Sequence, residues 1–253
     1  MSNSPVTLSI LLPVRNEVLN LRVMLRILNA ALIVPHEVLV IFDDENDASI
    51  AVVEEASRSF PGVRPVLNTA GRGVAFAIRA GVATASGERV LLFAADEVGP
   101  VLAIDDMLAL MDEGVEFVSA TRYAHGGRRL GGSMIGHALS RIANWLLFHA
   151  SGTGLSDSTT GIKMFRRADF EALSRNSTSV GWAVAFEMAI NAHLLELKLG
   201  EVPIISIDRL FGGQSTFRLI PWVLGYFGYF ATAMTKLPRS KRPPVTIRIP
   251  AGT

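Results

Sequence analysis

The first hundred residues alternate between two spacings of hydrophobic side chains. Short apolar runs are typical of strands that are buried on both faces of a sheet. Such runs occupy residues 7–12, 37–42, 63–67 and 90–93. Apolar or small residues at helical spacing occupy 19–32, 48–60 and 71–85. Four strand–helix alternations predict an α/β protein with a largely parallel, mixed central sheet flanked by helices.

The same spacings continue beyond residue 100, with longer loops between them. Helical spacing occurs at 102–111, 134–149 and 183–197. Strand-like runs occur at 116–120, 162–165 and 201–207, and loops are expected at 121–133 and 151–160. Because no repeat or low-complexity linker interrupts the chain, we expect one Rossmann-like domain over 1–237. A basic, proline-rich tail over 238–253 would follow it, extended or poorly ordered.

An uncharged run over 219–234 precedes the tail. Its 16 residues are fewer than the roughly 20 that a membrane-spanning helix needs. It is therefore a core helix or a helix that lies in the membrane interface. The lipid-facing set would then be Trp222, Tyr226, Phe227, Tyr229 and Phe230. The basic residues that follow favour the interfacial helix because they attract anionic lipid: Lys236, Arg239, Lys241 and Arg242.

Charge divides the chain into two halves although the net charge is only +1. Residues 1–116 contain 8 Lys/Arg and 16 Asp/Glu, whereas residues 117–253 contain 16 and 7. No acid occurs in 117–156 or in 209–253. An acidic half suits a metal ion or sugar hydroxyls, and a basic half suits phosphates or an anionic membrane surface. Chance clustering on solvated faces is the alternative, and the two long acid-free stretches make it less attractive.

The chain contains no cysteine, which excludes disulfides, thiolate metal sites and a cysteine nucleophile. Its first residues lack a basic leader, and their apolar run ends at Pro13, so we expect no signal peptide. We therefore expect a cytoplasmic protein, located at the cytoplasmic face of a membrane if 219–234 is interfacial. We expect no nucleic-acid partner, and the oligomeric state stays open.

Polar groups follow three of the predicted strands: residues 13–17, the pair Asp43-Asp44, and Asp96 with Glu97. The carboxyl ends of parallel strands share one sheet edge, where α/β proteins bind ligands. Carboxylates there can accept hydrogen bonds from a nucleobase or ribose and can hold Mg²⁺ or Mn²⁺. Asp43 and Asp47 could instead cap helices or shape turns, and we favour that structural role for Asp47.

A series of short motifs runs in order from about residue 8 to residue 219. The motifs are 13–17, Asp43-Asp44, Gly71-Arg72-Gly73 with 77–81, 121–127, 157–161, 186–187, 201–204, and Arg209 with Gly213 and Ser215. The series resembles the inverting family 2 glycosyltransferases with the GT-A fold. Within them it is most similar to the polyprenyl-phosphate sugar synthases, the group that contains dolichyl-phosphate mannose synthase. Each motif is modest alone, whereas their order over some 200 residues is specific.

The resemblance implies a transferase that moves a sugar from a nucleotide-diphosphate sugar to a lipid phosphate. The residues that would bind the nucleotide are Pro13, Arg15, Glu17, Asp43, Asp44 and Arg72. The catalytic set would be Asp96, Arg122 and Arg209, with Asp96 as the metal ligand. The acceptor phosphate would be held by Arg128, Arg141 and Ser215, with Arg129 a weaker candidate. Because a phosphate is already an anionic nucleophile, catalysis would consist mainly of positioning and charge stabilisation.

Several positions depart from the pattern of the family. Ala94 replaces the first aspartate of the Asp-x-Asp metal motif, and Val98 replaces the glutamine that usually follows it. Thr216 stands where a lysine is usual, and the turn at 45–49 lacks its glycines. These departures leave the fold expectation intact and put metal binding, and with it the Mg²⁺ or Mn²⁺ cofactor, in question.

Two alternatives to the lipid-phosphate hypothesis remain open at this point. The first is a family 2 transferase with a soluble or glycan acceptor, in which Glu187 or Asp157 would deprotonate a hydroxyl. The second is a catalytically silent GT-A domain that binds a nucleotide-sugar or a partner enzyme, for which Ala94 is the main support. Transfer assays with lipid and soluble acceptors would separate the three.

Overall fold

The computed structural model describes residues 5–132, 134–175, 181–207, 219–239 and 241–250. The strands in this part of the chain are β1 (Leu8–Pro13), β2 (His36–Phe42), β3 (Val63–Leu67), β4 (Arg89–Leu92), β5 (Phe117–Thr121), β6 (Arg128–Leu130), β7 (Lys163–Arg166), β8 (Leu199–Pro203), β9 (Ile205–Ile207) and β10 (Val245–Ile247). The α-helices are α1 (Val18–Ala31), α2 (Ile50–Ser57), α3 (Val74–Thr84), α4 (Ile104–Asp112), α5 (Met134–Leu146), α6 (Phe170–Leu173), α7 (Ala183–Leu194) and α8 (Leu219–Lys236). A π-helical turn, Leu147–Ser151, continues α5.

Eight strands form one mixed sheet in the order β10-β8-β5-β7-β4-β1-β2-β3. β7 is antiparallel to β4 and β5, and the other pairings in this sheet are parallel. The mixed, largely parallel α/β sheet that the sequence predicts is therefore confirmed. The carboxyl ends of the parallel strands share one edge of the sheet, which we call the carboxyl edge. The loop that leads into β7 reaches the same edge because β7 runs in the opposite direction.

Successive residues of the central strands alternate between two apolar layers. On β1, Ile10 and Leu12 pack in the layer that contains side chains of α1, α2 and α4. Leu11, between them, packs in the layer that contains side chains of α3, α6 and α7. Because every position of such a strand is buried on one face or the other, its sequence is apolar throughout rather than alternating.

A second, two-stranded sheet joins β6 to β9 in parallel. The run predicted as one strand at 201–207 is divided: after β8, the Ile204 N–H donates to the Thr121 carbonyl at 2.9 Å, and the Ile204 carbonyl accepts from Arg128 N–H. The loop predicted at 121–133 therefore contains a strand. A Cβ at Gly127 would lie 2.3 Å from the Thr121 carbonyl oxygen, so this close approach requires glycine.

The C-terminal tail contributes the edge strand of the main sheet. β10 pairs in parallel with Leu199, Gly200 and Glu201 of β8. Beyond it, Arg248 Nε donates to Asp106 Oδ1 at 2.9 Å, and Arg248 Nη1 donates to Glu113 Oε1 at 2.8 Å. Strand pairing and the ion pairs with Asp106 and Glu113 therefore fix the position of a segment that the sequence predicted to be extended or poorly ordered.

The aromatic side chains described in α8 do not form the single lipid-facing set that the sequence suggested, and the side chain of Trp222 lies outside the described residues. Tyr226 stacks on Phe186 of α7 with 5.6 Å between ring centroids, and Tyr229 meets the same ring edge-on. Phe230 also packs against this buried cluster, whereas Phe227 is 68% exposed. The rings of Tyr226, Tyr229 and Phe230 face the protein because α8 packs against α7. Within the described ranges, no helix is long and apolar enough to cross a membrane.

Candidate active site

Asp47 ties together the loops that follow β1 and β2 at the carboxyl edge. Its carboxylate accepts hydrogen bonds from Asn16 N–H at 2.9 Å and Ser49 N–H at 2.8 Å. The Ser49 hydroxyl oxygen in turn accepts from Glu17 N–H at 2.8 Å. These bonds fix the backbone of residues 15–17, and they leave the side chain of Arg15 exposed to solvent. Asp47 has the structural role that the sequence favoured.

Asp43 and Asp44 follow β2 and differ in their surroundings. Asp43 accepts from Asn68 Nδ2 at 2.6 Å and from Gly73 N–H at 2.8 Å, so it anchors the turn that begins α3. Asp44 is exposed. The backbone N–H of Asn46 chiefly lowers the pKa of Asp44, and the positive charges of Arg72 and Arg15 lower it further. Arg15, Asp44 and Arg72 therefore belong to one charged surface at the carboxyl edge.

Asp96 lies in the turn after β4 and is half-buried. The next residue, Glu97, accepts a hydrogen bond from Ser206 Oγ of β9 at 3.1 Å. The turn thus stands between β4 and the small second sheet. In the part of the chain that the structure describes, no three His, Asp or Glu side chains gather into a metal-binding group.

Asp157, in the loop before β7, is the centre of a buried hydrogen-bond network. Its carboxylate accepts from Arg122 Nε at 2.8 Å, from Arg122 Nη2 at 3.0 Å and from Asn144 Nδ2 at 3.1 Å. The N–H groups of Thr159 and Thr160 donate to it as well. Burial alone would raise the pKa of Asp157, but Arg122 and these bonds hold it below its usual value. A carboxylate so committed is a poor base, and this argues against the catalytic role considered for Asp157.

Two further ionisable side chains are buried beside Asp157. Lys163 Nζ donates to Ser119 Oγ at 2.6 Å and to the Asp157 carbonyl at 3.2 Å. Burial lowers the pKa of Lys163 to about 7 against the attraction of Asp157 and Glu201. Glu201 Oε1 accepts from Ser156 N–H at 2.8 Å and from Asp157 N–H at 3.2 Å. Burial nevertheless raises the pKa of Glu201 to about 7.

The arginine candidates differ in their surroundings. The guanidinium of Arg122 stands 5.0 Å from the centre of the Tyr123 ring and also contacts Thr159. Arg128 is exposed on β6, with half-buried Arg129 beside it, and Arg141 is exposed on α5. Two of the predicted site residues, Arg209 and Ser215, lie outside the described residues, as does Thr216.

Sequence reasoning did not assign a role to Lys163 or Asn144. Lys163 interrupts an otherwise apolar strand, Ile162 to Phe165, and a charged residue inside such a run is the signal that could have identified it. Asn144 carried no such signal, because polar residues are common on an amphipathic helix.

The chain matches the model of glycosyl transferase family 2 over residues 9–174. The chain belongs to this family, and it is a glycosyltransferase. It is 23% identical over 220 residues to a dolichol-phosphate mannosyltransferase of Mycosarcoma maydis, covering 80% of this chain and 71% of that protein. It is 27% identical over 221 residues to an undecaprenyl-phosphate 4-deoxy-4-formamido-L-arabinose transferase of Salmonella paratyphi A, covering 84% of this chain and 64% of that protein. The chain thus spans about two thirds of the length of these relatives.

Solved structures share the fold. Glucosyl-3-phosphoglycerate synthase from Mycobacterium tuberculosis, in complex with Mn²⁺, UDP and glucosyl-3-phosphoglycerate, matches with a TM-score of 0.69 and 16% identity over 90% of this chain and 80% of that chain. The same enzyme with phosphoglyceric acid matches with a TM-score of 0.68 and 15% identity over 95% and 88%. The fold is the GT-A fold of these glycosyltransferases.

Proposed function

We propose that this glycosyltransferase moves a sugar, with inversion, from a nucleotide-diphosphate sugar to a lipid phosphate. The observation that carries the lipid acceptor is the exposed apolar surface of α5, the helix that contacts the Arg122–Asp157 network through Ser140 and Asn144. Four large hydrophobic side chains of α5 are exposed: Met134, Leu139, Ile142 and Trp145. A soluble acceptor needs no such surface, whereas a lipid does.

The donor would bind at the carboxyl edge over β1, β2 and β4. The exposed patch of Arg15, Asp44 and Arg72 contains cationic donors for a phosphate and an anionic acceptor for a base or a ribose. Pro13 and Glu17 flank it on the chain, and Asp43 holds the glycine turn in place. The complexes of the structural neighbours with UDP and UDP-glucose support a nucleotide-sugar donor for this fold.

Asp96 would hold a Mg²⁺ or Mn²⁺ ion that arrives with the donor diphosphate. Mg²⁺ is commonly bound by one or two carboxylates together with substrate phosphates and water, so a site with Ala94 in place of a second aspartate still fits. When bound, such an ion neutralises the charge of the diphosphate leaving group. The neighbours carry Mn²⁺ or Mg²⁺ with UDP, which supports the use of a divalent ion.

The residues of this chain would supply positioning and positive charge. An acceptor phosphate oxygen attacks the anomeric carbon in line while the bond from that carbon to the diphosphate breaks. Because the attacking oxygen is already anionic, no side chain has to remove a proton. Arginines suit this task because a guanidinium binds a phosphate through two parallel hydrogen bonds. Arg128 and Arg141 are the exposed candidates, with Arg209 and Ser215 assigned by resemblance, while Arg122 is mostly engaged by Asp157.

The proposal is tested by transfer from labelled nucleotide-diphosphate sugars, with Mg²⁺ or Mn²⁺, to undecaprenyl phosphate in detergent, to 3-phosphoglycerate and to a free glycan. We expect label only in the lipid product, and we expect Asp96→Ala to reduce it roughly hundredfold. Glu88→Gln, which changes an exposed acid directly before β4 at the opposite edge of the sheet, is the matched control and should leave transfer unchanged.

A soluble phosphorylated acceptor is the second candidate, because the structural neighbours were solved with phosphoglyceric acid and glycerol 3-phosphate. Label in phosphoglycerate with none in undecaprenyl phosphate would establish it and overturn the lipid acceptor. Nucleotide binding without transfer to any acceptor would instead identify a silent GT-A domain.

A further inference from the structure

A cavity of about 510 Å³ lies between α5, the residues that follow β5 and the C-terminal tail. Its size is that of a site for a small molecule. Asn144 and Ser156 line it and also belong to the network around Asp157, so the cavity adjoins the candidate active site. The roles assigned above do not use this cavity as a whole.

The tail forms one complete wall of the cavity. That wall consists of Arg242, Pro243, Val245 and Ile247. It is held by the pairing of β10 with β8 and by the Arg248 N–H, which donates to the Glu201 carbonyl at 3.0 Å. A Cβ at Gly154 would lie 2.7 Å from the Val245 side chain, so the tail packs closely on the loop before β7.

The charged side chains in the lining carry more positive than negative charge. Arg141 lines the cavity from α5 and Arg242 lines it from the tail, and His125 and His149 also belong to the lining. Glu201 is the acid in its lining, and hydrogen bonds from Ser156 and Asp157 occupy one of its carboxylate oxygens. Two guanidinium groups with little opposing charge favour an anionic ligand, and their planar forks suit a phosphate.

The rest of the lining is aromatic and apolar. The guanidinium of Arg242 stands 4.5 Å from the centre of the Phe148 ring, so it reaches from the tail to the π-helical turn that continues α5. Trp145 is 60% exposed at the cavity and continues into the exposed apolar surface of α5. A ligand that satisfies both parts carries a phosphate on an apolar chain, and the chain can leave the cavity along α5.

We propose that the C-terminal tail builds one wall of a binding site for a phosphate monoester with an apolar chain, and that Arg242 binds its phosphate together with Arg141. The site rests on the proposed function, since a lipid-phosphate acceptor has this chemistry. The new element is the tail, which becomes a determinant of acceptor specificity rather than an appendage of the domain.

The test is calorimetric titration of the full chain with farnesyl phosphate in the absence of donor. Farnesol lacks the charge and inorganic phosphate lacks the chain, so both serve as comparison ligands. We expect the Kd for farnesyl phosphate to rise about tenfold in Arg242→Gln and in Arg141→Gln, since each loses a charge-assisted hydrogen bond. Arg26→Gln removes the same charge from the exposed side of α1 and should bind like the parent.

Three results would overturn the site: equal binding by Arg242→Gln and Arg26→Gln, equal binding of farnesol, or equal binding of inorganic phosphate. Thermal unfolding of each variant checks that it is folded. If sugar transfer to undecaprenyl phosphate has the same KM in the parent and in Arg242→Gln, the proposed function stands and the tail does not bind the acceptor. Binding of farnesyl phosphate that depends on Arg242, without transfer to any acceptor, would support the tail site and contradict the proposed function.

Discussion

At the scale of single residues, the charges that surround Asp157 are paired inside the protein. Arg122 and Asp157 form an ion pair in which the aspartate is fully buried and the arginine nearly so. Removing one member of such a pair leaves the other charge desolvated without compensation. The arginine that the resemblance placed in the catalytic set therefore first stabilises the loop before β7, which carries Asp157 to the carboxyl edge.

Asp157→Asn should consequently destabilise the fold. We expect a loss of about 3–5 kcal/mol in the free energy of unfolding, because the substitution removes the charge opposite Arg122. Urea denaturation at pH 7.5 measures it, with Glu45→Gln as an exposed control that should stay within about 0.5 kcal/mol of the parent. An unchanged unfolding midpoint for Asp157→Asn would show that the network contributes little to stability.

Lys163 should make stability depend on pH in the alkaline range. Burial lowers its pKa to about 7 in the folded protein, so between about pH 7 and pH 10.4 the unfolded chain binds one more proton than the folded one. Stability contributed by this group therefore rises with pH, by at most about 1.4 kcal/mol per pH unit. Lys163→Met should lack this rise when unfolding is measured at pH 7, 8.5 and 10. Parallel pH profiles for the parent and the variant would contradict the low pKa.

At the scale of elements, α5 shows a division of its surface. Asn144 and Leu147, at its end and in the π-helical turn, are buried, whereas Ile142 and Trp145 are exposed. The buried side holds the Asp157 network, and the exposed side presents hydrophobic groups beside Arg141. A helix of this kind can orient a site towards a membrane surface because one element contacts both.

Ile142→Glu should weaken membrane binding. Ile142 is 55% exposed, and placing a charge there removes apolar area that would enter the interface, so we expect partitioning to fall about tenfold. Sedimentation with vesicles that contain phosphatidylglycerol measures the bound fraction. Ile33→Glu is the matched control, because Ile33 is 97% exposed in the turn between α1 and β2, at the opposite edge of the sheet. Equal vesicle binding by the two variants would show that α5 does not enter the membrane interface.

At the scale of the whole molecule, the order of the longer strands and helices could be predicted because each buried run or amphipathic stretch is local, whereas β6 and β10 lie in segments expected to be a loop and a tail. The direction of β7 could not be predicted, because the short run at 162–165 fits a parallel or an antiparallel neighbour equally well. The division between β8 and β9 also escaped prediction, since it depends on contacts of Ile204 with Thr121 and Arg128, residues far away in sequence.

The candidate site was predictable to a similar extent. The grouping of Arg15, Asp44 and Arg72 follows from the rule that parallel strands end at one edge. The buried surroundings of Arg122 depend on Asp157 and Thr159, 35 and 37 residues away, and no local pattern reveals such pairings. The wall formed by the tail depends in the same way on a strand pairing over a long separation in sequence.

The two charge halves of the chain correspond to two parts of the sheet. β1, β2, β3 and β4 belong to the acidic half, and the strands from β5 onwards belong to the basic half. The proposed donor site lies over the first group and the proposed acceptor site over the second. The separation of charge therefore matches a separation of ligands across one continuous sheet.

β7 joins these two parts, and this has a consequence for the order of assembly during synthesis. β4 and β5 do not pair with each other, and each has β7 as its neighbour. Until residues 163–166 have left the ribosome, one edge of β4 and both edges of β5 are unpaired in the nascent chain, because β8 is synthesised after β7. Such edges are sites of aggregation. A chain interrupted before residue 163 would be a poor folding unit, although it would contain most of the proposed donor site.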